Sequence, residues 1–131
     1  SQNLKRSLSD VQNHGLDASL FALEVEESGH SEELLRLIEG SRRGLDLQRK
    51  VINQRGRTCV LVLLPLTSGE GAQGYLYRLN TLLSERFGMG KTLENLQVRV
   101  FAYDLSTAKG GDALRHFLYN ECALNDQQVV I

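Results

Sequence analysis

The sequence predicts an α/β (α+β) sandwich: one mixed central β-sheet flanked by helices. Three observations lead there. Ala18 to Val25 (ASLFALEV) and Thr58 to Pro65 (TCVLVLLP) are apolar runs of strand length. Leu34, Leu35, Leu37 and Ile38, and later Tyr75, Leu76, Leu79, Leu82, Leu83 and Phe87, recur at helical spacing instead. The resulting order of helix, strand, helix, hairpin, helix, strand, helix, strand lays helices against a sheet. With 131 residues, 41% of them apolar, the chain has material for one domain and one core and too little for two.

Taken in order, Leu4, Leu8 and Val11 fall on one face of a short amphipathic helix that ends near His14-Gly15, so residues 1–17 read as a leading helix and linker from an upstream domain. The strand at Ala18 to Val25 closes on Glu24, Glu26 and Glu27. Ser31 reads as the N-cap of the next helix, with Glu32 and Glu33 on its positive end and Gly40 as its stop. Leu47 to Asn53 is the first arm of a hairpin, and Thr58 to Leu64, closed by the only proline, is the second. Ser68 to Gly74 reads as a glycine-rich loop ahead of the helix through Phe87. Gln97 to Tyr103 alternates Val98, Val100 and Ala102 against Gln97, Arg99 and Phe101, as a half-buried strand does. Asp112 caps a last helix through Leu114, Phe117, Leu118 and Cys122, and Gln128 to Ile131 reads as a closing edge strand.

Composition narrows the function. Fifteen basic side chains nearly cancel sixteen acidic ones, so no global field recruits DNA, RNA or an anionic membrane, and any anion site is local. Cys59 and Cys122 lie inside apolar segments and read as reduced, buried residues of a cytosolic protein. No apolar run is long enough to cross a bilayer, and the start at Ser1 is expected of a piece of a longer protein. His14, His30 and His116 fall in different elements, no His or Cys pair has metal-ligand spacing, and no nucleophile-elbow pattern supports hydrolase chemistry. Gly90-Lys91-Thr92 lacks the leading glycine and the strand of a phosphate loop, and Gly110-Gly111-Asp112 opens a helix.

What remains is Ser41 to Pro65. Its arginine-rich turn, Arg42-Arg43-Gly44-Leu45-Asp46, sets guanidinium forks beside a carboxylate just ahead of the hairpin, which suits reading a guanine or gripping a phosphate. The bland alternative is that Arg42 and Arg43 are solvated charges answering the carbonyls of the preceding helix.

From Ala18 to the C-terminus the chain resembles the GGDEF domain of diguanylate cyclases. The matching pieces are Leu20 to Glu26, the R-x-x-D string Arg43-Gly44-Leu45-Asp46, a hairpin tip at Gln54 to Thr58, and Cys59 to Pro65. Arg78, thirteen positions after Pro65, stands where that family places the second arginine of its inhibitory site. The departures fall on the catalytic half. Cyclase chemistry needs carboxylates that hold divalent metal at a triphosphate, yet the tip offers Gln54, Arg55, Gly56, Arg57 and Thr58. Those arginines could bind triphosphate but not magnesium. Glu24 replaces the usual first-strand aspartate, and Glu27 to Ser31 lacks the guanine-recognising asparagine and aspartate. The segment from Asp46 to Pro65 is also longer than usual, which leaves the hairpin register open.

Within that family the chain looks most like the degenerate PelD type of cyclic di-GMP receptor. The resemblance implies a receptor domain over residues 18–131, a GAF domain upstream, and no cofactor. It implies cyclic di-GMP, as an intercalated dimer, bound by Arg43, Gly44, Asp46 and Arg78, with Arg42, Gln48 and Arg49 secondary. It further implies the cytosolic part of a bacterial inner-membrane protein that regulates Pel exopolysaccharide export and biofilm formation together with other proteins of the export complex. An active nucleotide cyclase and a structural interaction module are the alternatives from other classes.

Overall fold

The computed structural model describes residues 17–105 and 111–130. The expected leading helix lies outside them. Four strands, β1 (Ala18–Val25), β2 (Leu47–Ile52), β3 (Thr58–Pro65) and β4 (Val98–Asp104), form one sheet in the order β2-β3-β1-β4. Helices α1 (Ser31–Gly40) and α2 (Gly69–Phe87) follow β1 and β3. After β4 come α3 (Gly111–His116), continued by a π-helical turn at Phe117–Glu121, and the short α4 (Asp126–Val130). The α+β class is as expected, but among the described residues every strand pair is antiparallel, where a mixed sheet was expected. Hydrophobic pattern locates strands; it does not orient them.

Both faces of the sheet are covered, and β1 is buried along its whole length. Its alternate side chains serve two cores. Phe21, Leu23 and Val25 join Val60, Val62 and Leu64 of β3 under Leu34 and Ile38 of α1 and Tyr75, Leu79 and Leu83 of α2. Leu20 and Ala22 join Cys59, Leu61 and Leu63 under Leu114, Phe117, Leu118 and Cys122. Both cysteines are buried and unbridged, and burial raises their thiols, Cys59 to about 12. No helix among the described residues is long and apolar enough to cross a membrane.

Four local expectations need correction. His30, not Ser31, is the N-cap of α1; Ser31 is its first residue and donates its hydroxyl to Ser28 O. The glycine-rich stretch is not a loop but the first turns of α2, because Tyr75, Leu79 and Leu83 fix the helix against the sheet and outweigh the low helix propensity of glycine. Gly71 has a further reason to be there: a Cβ would meet Thr67 Cγ2 at 2.6 Å. On β4 only Val98 is buried, since the strand is an outer one and Val100 is 37% exposed. The C-terminal strand is replaced by α4, whose Asn125 carbonyl accepts from the Gln128 and Val129 N–H groups; four apolar-rich residues are too few to set a period. Asp112 sits in the first turn of α3.

The hairpin tip folds inward around one buried carboxylate. Asn53 Oδ1 accepts the N–H groups of Arg55 and Arg57, and Gly56 takes the positive φ the turn requires. Asn53 Nδ2 and Arg55 then converge on Glu24, which is 1% exposed: Nδ2 lies 2.5 Å and Arg55 Nη2 2.7 Å from Oε2. Arg99 Nη1 stands 3.4 Å from Oε1, and Arg55 also donates to Glu121 O at 2.9 Å. Burial pushes the Glu24 carboxyl up, but the hydrogen bonds from Arg55 and Asn53 and the charges of Arg55 and Arg99 outweigh it, so the group sits below its ordinary value of 4.5. A carboxylate depressed by folding stabilises the fold above the ordinary carboxylate range, and that contribution disappears as pH falls through the folded value.

Arg55→Ala is therefore expected to destabilise the domain by about 3 kcal/mol in urea unfolding, the low end for breaking a buried ion pair because Asn53 and Arg99 stay on Glu24 and Arg55 keeps 31% of its side chain in water. Glu24→Gln is expected to lose stability at neutral pH and to flatten the acid limb of the stability profile, measured as the urea midpoint against pH.

Candidate functional site

At the C-terminus of α1 the chain has to turn out of the helix and into β2, and Ser41 makes that corner. Its N–H and its Oγ both donate to Ile38 O, at 3.1 and 2.5 Å. The following R-x-x-D segment closes on itself. Asp46 N–H donates to Arg43 O at 2.7 Å, and Arg43 N–H donates back to Asp46 Oδ2 at 3.0 Å. This is the self-capping an aspartate gives a tight turn. Arg42 bends back to donate Nε–H to Asp46 O at 2.8 Å, so it staples the turn and is not simply solvated. Gln48 likewise donates to Ile38 O at 3.1 Å. Arg43, Gly44 and Leu45 stay exposed, with 70% of the Leu45 surface in water. A Cβ on Gly44 would meet nothing within 4 Å, so packing in the chain itself does not demand glycine there.

Arg78 comes to the same corner from α2. Its Nη2 lies 3.4 Å from Ser41 O, two residues before Arg43, and its guanidinium stands 5.2 Å from the centre of the Tyr75 ring. Tyr75 is buried, stacks on Phe21 at 5.5 Å, and reaches Ser41 Oγ with its hydroxyl at 3.4 Å. Burial raises the Tyr75 phenol and the Asp46 charge adds to this, while the Ser41 hydrogen bond and the Arg78 charge work against them. Because Arg78 reaches the Ser41 carbonyl, the second arginine and the start of the turn lie at the same corner of the fold. Sequence reasoning took Tyr75 only as a core residue and passed over Ser41. The i, i+3 spacing of Tyr75 and Arg78 was the available signal.

The tip region is separate. β2 is six residues long, so about 20 Å of strand parts the R-x-x-D turn from the tip. A cavity of about 580 Å³ opens there beside Glu26, Glu27, Ser31, Arg55 and Arg57. Both arginines expected to be available at the tip are engaged with acids, Arg55 with Glu24 and Arg57 with Glu26 at 3.4 Å. Among the described residues, no three His, Cys, Asp or Glu side chains converge as a metal-ligand set. The register left open by the sequence runs without a bulge from Leu47↔Leu63 to Ile52↔Thr58, leaving residues 53–57 as the tip.

The sequence matches the profile of the PelD GGDEF domain over residues 1–121. Among solved structures, PelD from residue 158 to its C-terminus, from Pseudomonas aeruginosa PAO1, is similar with a TM-score of 0.90 and 56% identity, over 100% of this chain and 46% of that one. PelD 156-455 from Pseudomonas aeruginosa PA14, in complex with c-di-GMP, gives 0.90 and 55%, over 100% and 47%. The apo form of that fragment gives 0.89 and 55%, with the same coverage. No curated protein matches. The chain spans a little under half the length of the solved fragments it resembles. A profile match over nearly all of the sequence, joined to an identity above one half across a shared fold, assigns the chain to the PelD GGDEF family.

Proposed function

We propose that this chain is a cyclic di-GMP receptor domain of the R-x-x-D inhibitory-site type, without cyclase activity. The observation that carries the reading is the approach of Arg78 to the Ser41 carbonyl, two residues ahead of the Arg43–Asp46 turn. The solved relative in complex with c-di-GMP supports the choice of ligand.

The chemistry of the ligand suits this corner. Cyclic di-GMP presents two phosphates and two guanines, and two molecules intercalate into a stack of four bases. Arg43 and Arg78 direct planar forks at guanine O6 and N7 or at phosphate. Asp46 accepts from the guanine N1–H and N2–H₂ edge, which selects guanine over adenine. Gly44 lets the backbone come close to the ligand, and Leu45 offers an apolar face beside it.

Loss of cyclase activity is supported by the tip. Catalysis would need carboxylates free to hold metal at a triphosphate, whereas Glu24 is taken up by Arg55, Asn53 and Arg99, and Glu26 by Arg57. In the whole protein we place the domain on the cytosolic side of an inner-membrane protein, downstream of a GAF domain. There it reports cyclic di-GMP to partners in Pel exopolysaccharide export and so governs biofilm formation. A receptor of this kind works only if the ligand favours one arrangement of the protein over another.

Isothermal titration with cyclic di-GMP tests the reading. Arg43→Ala and Asp46→Ala are expected to abolish measurable binding while the folded circular dichroism spectrum is kept, and Arg78→Ala to weaken it by one to two decades, roughly the 1–3 kcal/mol of a bidentate contact. Retained tight binding in Arg43→Ala would remove the site. A stoichiometry of two ligands per chain is expected for the intercalated dimer. Incubation with GTP and magnesium, followed by chromatography, is expected to yield no cyclic dinucleotide.

A further inference from the structure

The ring of Tyr75 and the backbone of Ser41 surround Arg78 on two sides. Tyr75 is held from behind by its stack on Phe21 and is buried, so its ring is a fixed surface. The Ser41 hydroxyl donates to Ile38 O, which leaves its oxygen to accept from the Tyr75 hydroxyl. That hydrogen bond ties α2 to the exit of α1, the point from which the R-x-x-D turn starts. Arg78, one helical turn beyond Tyr75, lies over the same ring and reaches the Ser41 carbonyl.

Resting on the receptor reading above, we infer that Tyr75 is a positioning residue of the ligand site, whose ring holds the Arg78 guanidinium in its binding orientation before ligand arrives. Arginine is long and rotamer-rich, and ordering it at the moment of binding weakens affinity. A cation over a fixed aromatic face is already ordered. The Tyr75 hydroxyl helps anchor α2 at the Ser41 corner, whereas the ring sets the direction of the Arg78 guanidinium.

The test is calorimetric titration of wild type, Tyr75→Phe and Tyr75→Met with cyclic di-GMP, well below each protein's thermal midpoint. Phenylalanine keeps the ring, and methionine fills the space without one. Tyr75→Met is expected to bind about tenfold more weakly than wild type, and Tyr75→Phe within about threefold of it. Equal affinity of Tyr75→Met and wild type, or equal losses in both variants, would overturn the positioning role and leave the receptor reading standing. Wild type that does not bind cyclic di-GMP would overturn both. If Tyr75→Met does not fold, ligand-free wild type still decides: the Arg78 δ-protons are expected upfield of their unstacked position by the Tyr75 ring current, and unshifted protons would overturn the inference.

Discussion

The constraint on which the fold depends is the double burial of β1. A strand covered on both faces has no polar side, so a charge at its end has to be neutralised from within the protein. Glu24 is that charge, and the hairpin tip answers it with Asn53 and Arg55 while β4 adds Arg99. The same interaction seats the tip on the C-terminal helices, where Arg55 also holds the Glu121 carbonyl and Gln54 N–H donates to Ala123 O at 2.7 Å. One carboxylate therefore ties β1, the hairpin, β4 and the last helical turn together.

The other end of β2 answers to a different requirement. The R-x-x-D turn is closed by its own backbone and by the Asp46 carboxylate, and it is exposed, so it contributes little to the core. What ties it to the rest is the Ser41 corner and the approach of α2. The two ends of one strand thus differ in kind: the tip holds the fold together, and the turn is closed on itself and exposed.

Much of this was legible in the sequence. β1 and β3 announce themselves as uninterrupted apolar runs, and the tip between them by Gly56 among polar residues. The R-x-x-D turn could be read because glycine and aspartate favour turns and arginine suits the end of a helix. Strand direction was not legible, since a buried strand has the same composition whether it runs parallel or antiparallel. The helical start of α2 was hidden because glycine argues locally for a loop, and only packing of Tyr75, Leu79 and Leu83 reverses that preference. Arg55 was misread for a similar reason: a charged residue at a hairpin tip is ordinarily in water, and its partner lies thirty-one positions earlier. For Tyr75 the sequence offered only its i, i+3 spacing to Arg78, because its contacts with Ser41 and Phe21 exist only in the folded chain.

The pairing of Glu24 with Arg55 also bears on the evolutionary history open to this domain. Holding a divalent ion at the tip would require removing the arginine and adding carboxylates. The first change alone leaves the buried anion with only Asn53 and the more exposed Arg99, and the second alone crowds like charges around it. Each intermediate sequence is less fit to fold than its ancestor, so the internal guanidinium acts as a ratchet.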